Sequence, residues 1–142
     1  MRNVLTILVA AFLTGTSMDS QDRPHFAIIV NKSNQIHDLS AGKVKLIFLR
    51  KISRWPWGAE MLPVDLLDSN PLRQAFVKSM MESSFADLAV YWIDQKVTRG
   101  LYPPLRAANP QEAKALVAAR LGGIAYIPAS DMDDSVRVLD VR

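Results

Sequence analysis

The sequence predicts an α/β fold, with a largely parallel or mixed sheet flanked by helices. Short apolar runs suited to buried strands occur at 26–30, 61–67, 124–127 and 136–139. Between them lie amphipathic stretches that begin at helix-capping residues, and this alternation favours strands joined by helices in one sheet. The 142 residues, of which 49% are hydrophobic and 22% charged, are enough for one globular domain.

The N-terminal residues follow the order of an export signal. Arg2 provides the charged head, residues 4–13 form an apolar core, and Gly15 and Ser17 are the small residues before a cleavage site. The apolar run is shorter than the roughly 20 residues of a membrane-spanning helix. A buried first strand or helix is the alternative. We expect a signal peptide over 1–17, a mature domain over 18–142, and a periplasmic protein that does not span the membrane after cleavage.

Composition excludes several classes of site. The chain has no cysteine, and its two histidines, His25 and His37, make a histidine-based metal site unfavourable. The net charge is +3, with basic residues dispersed, so no nucleic-acid partner is expected. Asp65 and Asp68 have no nucleophile or histidine beside them in sequence, and loop aspartates usually cap or turn. We therefore expect no enzyme activity, catalytic residue, metal or cofactor.

In the first half of the mature chain, a strand over 26–30 leads through a polar loop to a helix. Ser40 caps this helix, which is expected to end near Arg50 and Lys51, where cations suit the helix dipole. A turn follows at 54–58, in which Pro56 and Gly58 occupy favourable positions. The next apolar run, 61–67, reads as a strand.

The second half of the mature chain also alternates between predicted helices and strands. Ser84 and Asp87 form a capping box for the next helix. A loop is expected at 98–104, and Asn109 with Pro110 begins a further helix that Gly122 and Gly123 close. A strand at 124–127, stopped by Pro128, and a final strand at 136–139 complete the chain.

The apolar positions of these helices and strands predict one core. Trp57, in the turn between polar and proline residues, is instead expected to be an exposed contact residue. The core residues expected are Leu46, Ile47, Phe48, Phe76, Leu88, Trp92, Leu116, Val117 and Ile124.

The step from the strand at 61–67 to the next helix is the best candidate for a ligand site. Asn70 is a good N-cap, and Pro71 suits the first helical position. A helix that starts just beyond a strand presents backbone N–H groups that suit an anion. Arg73 either adds a charged contact to that anion or pairs with an acidic neighbour.

Several motifs, taken in order, resemble one family. They are Ile47-Phe48-Leu49-x-Lys51, Trp55-Pro56-x-Gly58, Pro63-Val64-Asp65, Pro71-Leu72-Arg73-x-x-Phe76, Tyr91-Trp92, Pro103-Pro104 and Gly123-Ile124-x-Tyr126-Ile127. From about Phe26 to Leu139, the chain resembles the phosphate-type periplasmic binding proteins, the binding components of phosphate ABC transporters. It is most similar to their short, signal-bearing relatives.

The resemblance implies one lobe of a two-lobed type 2 periplasmic binding protein, in which helix N-termini, hydroxyls and an arginine hold the anion. It implies Ser69, Asn70, Leu72 and Arg73 as ligand-binding residues. The chain departs from the family pattern in this turn: Pro71 removes a backbone donor and Leu72 removes a hydroxyl. Arg50 replaces a glycine of the pattern.

Two functions follow from the resemblance. The first is an exported solute-binding protein for phosphate or a similar small oxyanion, related to phosphate ABC transporter components. The alternative is an exported interaction or sensory accessory protein that kept the lobe and lost the ligand. Its partner would then be a membrane transporter or sensor.

Overall fold

The computed structural model of the protein describes residues 26–142, which form seven strands and four helices. The strands are β1 (Phe26–Val30), β2 (Asp38–Leu39), β3 (Leu62–Leu66), β4 (Leu105–Ala107), β5 (Gly123–Pro128), β6 (Arg137–Val138) and β7 (Asp140–Val141). The helices are α1 (Ala41–Phe48), α2 (Pro71–Ser79), α3 (Phe85–Arg99) and α4 (Pro110–Ala119). The expected signal peptide over 1–17 lies outside the described residues.

Five of the strands form one mixed sheet in the order β4-β3-β5-β1-β6. Strand β3 runs parallel to both β4 and β5, whereas β1 runs antiparallel to its neighbours β5 and β6. Strands β2 and β7 form a separate parallel pair. The predicted α/β class, with a mixed sheet flanked by helices, is confirmed.

An aromatic cluster fills the space between the sheet and helices α1 and α2. The Phe76 ring of α2 stacks on the Tyr126 ring of β5, with centroids 3.9 Å apart and planes at 5°. Phe48 of α1 and Phe26 of β1 pack against Phe76 at centroid distances of 4.8 Å and 5.6 Å. Because side chains alternate along a strand, the neighbours of Tyr126 in β5 face the other way.

Helix α4 covers that other face. It packs across β1, β3, β4 and β5. At Gly123 the approach is so close that a Cβ atom would lie 2.9 Å from the Cα atom of Val117. The Asn31 side chain, at the end of β1, donates to the carbonyl of Val117 at 3.0 Å and fixes this helix to the sheet.

The predicted helix starts are confirmed in detail. The side chains of Ser40, Asn70, Ser84 and Asn109 each accept a hydrogen bond from a backbone N–H in the first turn of their helix. These bonds satisfy donors that have no partner within the helix.

Helix ends and short strands differ from expectation. Helix α1 ends at Phe48, before Arg50 and Lys51, and α3 continues to Arg99 into the expected loop. Helix α4 ends at Ala119, ahead of the two glycines. Of the expected final strand at 136–139, only Arg137–Val138 forms a strand, β6, and β7 lies beyond it. Pro128 is the last residue of β5. The sequence did not predict β2 or β4.

The predicted core is confirmed with exceptions. Ile47, Phe48, Phe76, Leu88, Val117 and Ile124 are buried, and Trp92 and Leu116 are partly buried against the core. The prediction for Leu46 is wrong, because this side chain is 36% exposed. On α1 it lies on the opposite side from Val44 and Phe48.

Candidate anion site at the start of α2

The turn between β3 and α2 is short and closed by its own hydrogen bonds. Strand β3 ends at Leu66, and α2 begins at Pro71. The backbone N–H of Asn70 donates to the carbonyl of Leu67 at 2.9 Å, which folds the chain back into the helix. The turn therefore lies at the carboxyl end of β3, as the sequence predicts.

The backbone donors of the first helical turn are engaged within the turn. The Leu72 N–H donates to Oδ1 of Asn70 at 2.9 Å, and the Arg73 N–H donates to the Asn70 carbonyl at 3.0 Å. Pro71 has no N–H to offer. The Ser69 side chain is exposed and makes no hydrogen bond within residues 26–142. An anion at this helix end would compete with the cap for its amides.

Arg73 is buried among acidic and aromatic side chains. Its side chain is 3% exposed, with Nη1 located 2.9 Å from Oδ1 of Asp68 and Nε located 3.3 Å from Oδ2 of Asp65. Nε of Arg73 is close enough to Asp65 for an ion pair, but its N–H does not point at the carboxylate and makes no hydrogen bond. The guanidinium also lies over the ring of Phe85, 4.7 Å from its centroid. Of the two roles predicted for Arg73, the pairing with acidic neighbours is confirmed.

Asp68 joins this arginine to a second one. The same Oδ1 atom that faces Arg73 lies 2.7 Å from Nη1 of Arg106 in β4. The Asp68 side chain is 60% exposed, whereas those of Arg73 and Arg106 are 3% and 34% exposed. Two guanidinium groups thus converge on one carboxylate near the surface. The charges of Arg73 and Arg106 balance those of Asp65 and Asp68, so these four side chains together carry no net charge.

Beneath this pair, Asp65 belongs to the sheet and not to a loop. It lies in β3, accepts a hydrogen bond from the Tyr126 hydroxyl, and also accepts the Leu66 N–H at 2.8 Å. Burial, followed by the charge of Asp65 and its hydrogen bond, raises the pKa of the Tyr126 hydroxyl. The hydroxyl therefore remains a proton donor to Asp65 at neutral pH.

The structure brings Asn70, Leu72 and Arg73 together and adds two residues that sequence reasoning missed. Arg106 lies in a three-residue strand that is too short to show a periodic pattern. Tyr126 was read only as part of an apolar strand, and its hydroxyl points to a partner on β3 that is distant in sequence.

Trp57 lies away from this turn and is not the exposed residue that was expected. Its ring is partly buried and stacks on Trp55, with centroids 5.3 Å apart and planes at 9°. Trp55 is buried, and its Nε1 atom donates to the Gly122 carbonyl at 3.0 Å.

Residues 26–142 contain no group of three or more histidine, cysteine or acidic side chains arranged to hold a metal ion. Over the same range, no helix combines the length and apolar character needed to cross a membrane.

The arrangement of sheet and helices is that of one lobe of a periplasmic binding protein. More specifically, the fold matches that of phosphate ABC transporter substrate-binding proteins, which confirms the resemblance inferred from the motifs. No protein-family model matches the chain, and a search of curated proteins gives no match.

Three solved structures illustrate the match. A protein from Clostridium perfringens, described as a phosphate ABC transporter substrate-binding protein with bound phosphate, is 26% identical with a TM-score of 0.67, and the alignment covers 82% of this chain and 44% of that one. An ABC-type phosphate transport receptor from Vibrio cholerae is 18% identical with a TM-score of 0.64, covering 82% and 46%. PstS from Borrelia burgdorferi is 11% identical with a TM-score of 0.64, covering 83% and 47%.

This chain therefore spans less than half the length of the structures it matches. All three are described as binding or transport proteins, and none as an enzyme.

Proposed function

We propose that this protein is an exported accessory lobe that contacts a membrane transporter or sensor and binds no free oxyanion at α2. One observation carries the proposal: the carboxylate of Asp68 forms ion pairs with both Arg73 and Arg106. Without this carboxylate, both guanidinium groups would be available to an oxyanion.

The energetics of anion binding support this reading. A phosphate ion gives up a strong hydration shell on binding and needs several donors in return. Here the amides of Leu72 and Arg73 already have partners, and the charge of the cluster is balanced. An incoming anion would have to displace Asp68 and would then lie close to the carboxylates of Asp65 and Asp68.

A contact role is supported by the outer face of α3. Val90, Ile93 and Val97 are 68%, 66% and 79% exposed and recur on one side of the helix, opposite the buried Leu88. Contiguous exposed apolar side chains often mark protein–protein contacts. The occupant we propose for this stripe is an apolar helix of the membrane partner.

Oxyanion binding is the second candidate, with Ser69, Asn70, Leu72 and Arg73 as ligands. It is favoured by the match to the Clostridium perfringens protein, whose structure contains phosphate. Because the Asp68 side chain is 60% exposed, it can rotate away from the arginines at moderate cost. The exposed Ser69 hydroxyl would then be an additional donor.

Calorimetric titration of residues 18–142 with phosphate and with sulfate separates the two functions. The accessory-lobe proposal expects no saturable heat for the unmodified chain. Asp68→Ala should create weak binding, because it frees two arginines, whereas the control Asp134→Ala removes an exposed carboxylate elsewhere and should not. Saturable binding by the unmodified chain would overturn the proposal in favour of the solute-binding function.

A restored turn tests the second candidate further. Pro71→Gly combined with Leu72→Thr returns one N–H and one hydroxyl to the helix start. If neither the unmodified chain, nor Asp68→Ala, nor this variant binds phosphate or sulfate, the solute-binding function fails for the isolated chain.

The contact itself can be tested in the cell envelope. A photoreactive residue at Ile93 should crosslink to an integral membrane protein, whereas the same residue at Lys78, on the exposed side of α2, should not. Equal adducts at both positions, or none at position 93, would refute the contact surface.

A further inference from the structure

A cavity of about 110 Å³ lies at the sheet edge opposite the start of α2. It is located where the parallel strands β3 and β5 begin, and the end of α4 closes one side. Its lining is mostly apolar, from residues that include Leu62, Val64, Leu105 and Leu116. Because Val64 is buried and Leu105 is 60% exposed, the cavity leads from the surface to the core.

Two arginines also line the cavity, and no other described residue neutralises them. Arg50 and Arg120 border the cavity, and neither side chain has an ion-pair or hydrogen-bond partner within residues 26–142. By contrast, Arg73, Arg106 and Arg142 each contact a carboxylate. An apolar cavity bordered by two unpaired guanidinium groups suits a ligand with an anionic head and a hydrocarbon tail.

The backbone of Arg50 provides an independent indication. Its φ angle is 56°, in the left-handed region that favours glycine. Glycine is also the residue that the family pattern has at this position. A non-glycine residue in this conformation strains the backbone, and such strain is concentrated at functional sites. The strain at Arg50 therefore favours a functional role for its side chain.

We propose that this cavity binds a small aliphatic monocarboxylate, with the tail against Val64 and Leu116 and the carboxylate between Arg50 and Arg120. A planar carboxylate matches the paired donors of a guanidinium group. The cavity is smaller than the roughly 150 Å³ apolar cavity that accommodates benzene, so the tail should have about four or five carbons. A carboxylate with a hydrocarbon tail fits this cavity better than phosphate, because the apolar part of the lining offers phosphate no replacement for its hydration.

Titration of ¹⁵N-labelled protein with acetate, propionate, butyrate and pentanoate tests the role of the tail. Backbone amide signals of Leu62, Leu116 and Gly123 should shift, and those of the α2 turn should not. Affinity should rise about fourfold for each added methylene until the cavity is filled. Pentanol, which has the tail without the charge, should bind at least tenfold more weakly than pentanoate. Equal affinity for acetate and pentanoate, or shifts confined to the α2 turn, would overturn the proposal.

Substitutions test the role of the charge. Arg50→Asn removes the guanidinium and suits the positive φ angle, and Arg120→Gln removes the second one. Each should weaken pentanoate binding about tenfold, the lower end for a hydrogen bond to a charged group. Arg99→Gln, on α3, removes the same charge away from the cavity and should leave affinity unchanged. Should Arg50→Asn fail to fold, Arg120→Gln decides the outcome.

Leu116→Phe tests the cavity separately, because a larger side chain at its wall should reduce pentanoate binding while leaving both arginines in place. The proposal fails if the arginine variants bind pentanoate as tightly as the unmodified chain, or if Arg99→Gln weakens binding equally. Neither result depends on whether phosphate binds at α2, so this site is tested independently of the proposed function.

Discussion

Replacing Arg73 with methionine should lower the free energy of unfolding by about 3 kcal/mol. Removing one member of a buried ion pair costs roughly 3–5 kcal/mol, because the remaining charge is left buried and unpaired. The remaining charge is Asp65, whose side chain is only 11% exposed. It keeps the hydrogen bonds from the Tyr126 hydroxyl and the Leu66 N–H, and this places the expected loss at the lower end of the range. Asp68 is mostly exposed and returns to water at little cost.

Urea melts followed by tryptophan fluorescence provide the measurement, because Trp55 is buried in the folded protein. The double variant Asp65→Asn with Arg73→Met should recover part of the loss, since it leaves no unpaired charge. The single variant Asp68→Asn is the control, and its loss should remain below about 1 kcal/mol. A loss below about 1 kcal/mol for Arg73→Met would show that the guanidinium is not needed for folding, and the case for a ligand role would be strengthened.

Four further outcomes are expected. Phe76→Ala should cost roughly 3–5 kcal/mol in denaturant melts, because its ring is 1% exposed and stacked on another; a loss below about 1 kcal/mol would contradict the packing. Gly42→Ala should stabilise α1 by about 0.5–1 kcal/mol, because alanine favours the helix and meets no close neighbour there. In the same melts Gly122→Ala should be strongly destabilising, because its Cβ atom would lie 1.7 Å from the backbone oxygen of Glu60. Burial raises the pKa of Tyr126, so the folded state retains a proton that the unfolded state releases above about pH 10. Stability should therefore fall as pH rises beyond that value, and Tyr126→Phe should reduce the fall when melts are repeated across this range. Mass spectrometry of envelope protein should show a chain that begins near residue 18, and an intact N-terminus on the soluble form would contradict cleavage after Ser17.

Sequence reasoning was most accurate where a structural role depends on neighbouring residues. The caps at Asn70 and Ser84 and the proline after Asn70 are local arrangements, so their spacing can be read directly. The apolar runs identified β1, β3 and β5 because buried strands need several consecutive apolar residues.

Elements that depend on distant partners were missed. Strand β4 has three residues and is defined by its pairing with β3, and β2 is defined by β7. Leu46 was placed in the core because it is apolar, although its position on α1 directs it away from the sheet side.

The candidate site was predicted in position but not in its electrostatics. The sequence placed Arg73 at the start of a helix and left its partner open. Only the fold shows that Asp65, Asp68 and Arg106 come from two neighbouring strands and the turn to surround it. Contacts of this kind depend on sheet order, which cannot be read from spacing.

The position of β1 has a consequence for how the chain folds. This strand is the first described element, yet it lies between β5 and β6, near the other end of the sequence, and pairs residue 26 with residue 128. The sheet cannot close until nearly the whole chain is available, and such long-range pairing is slow because the loop must be ordered before the contacts form. A chain with this topology therefore completes its sheet only after β5 and β6 have been synthesised. Removal of residues 123–142 would expose both edges of β1 and leave an apolar strand prone to aggregation.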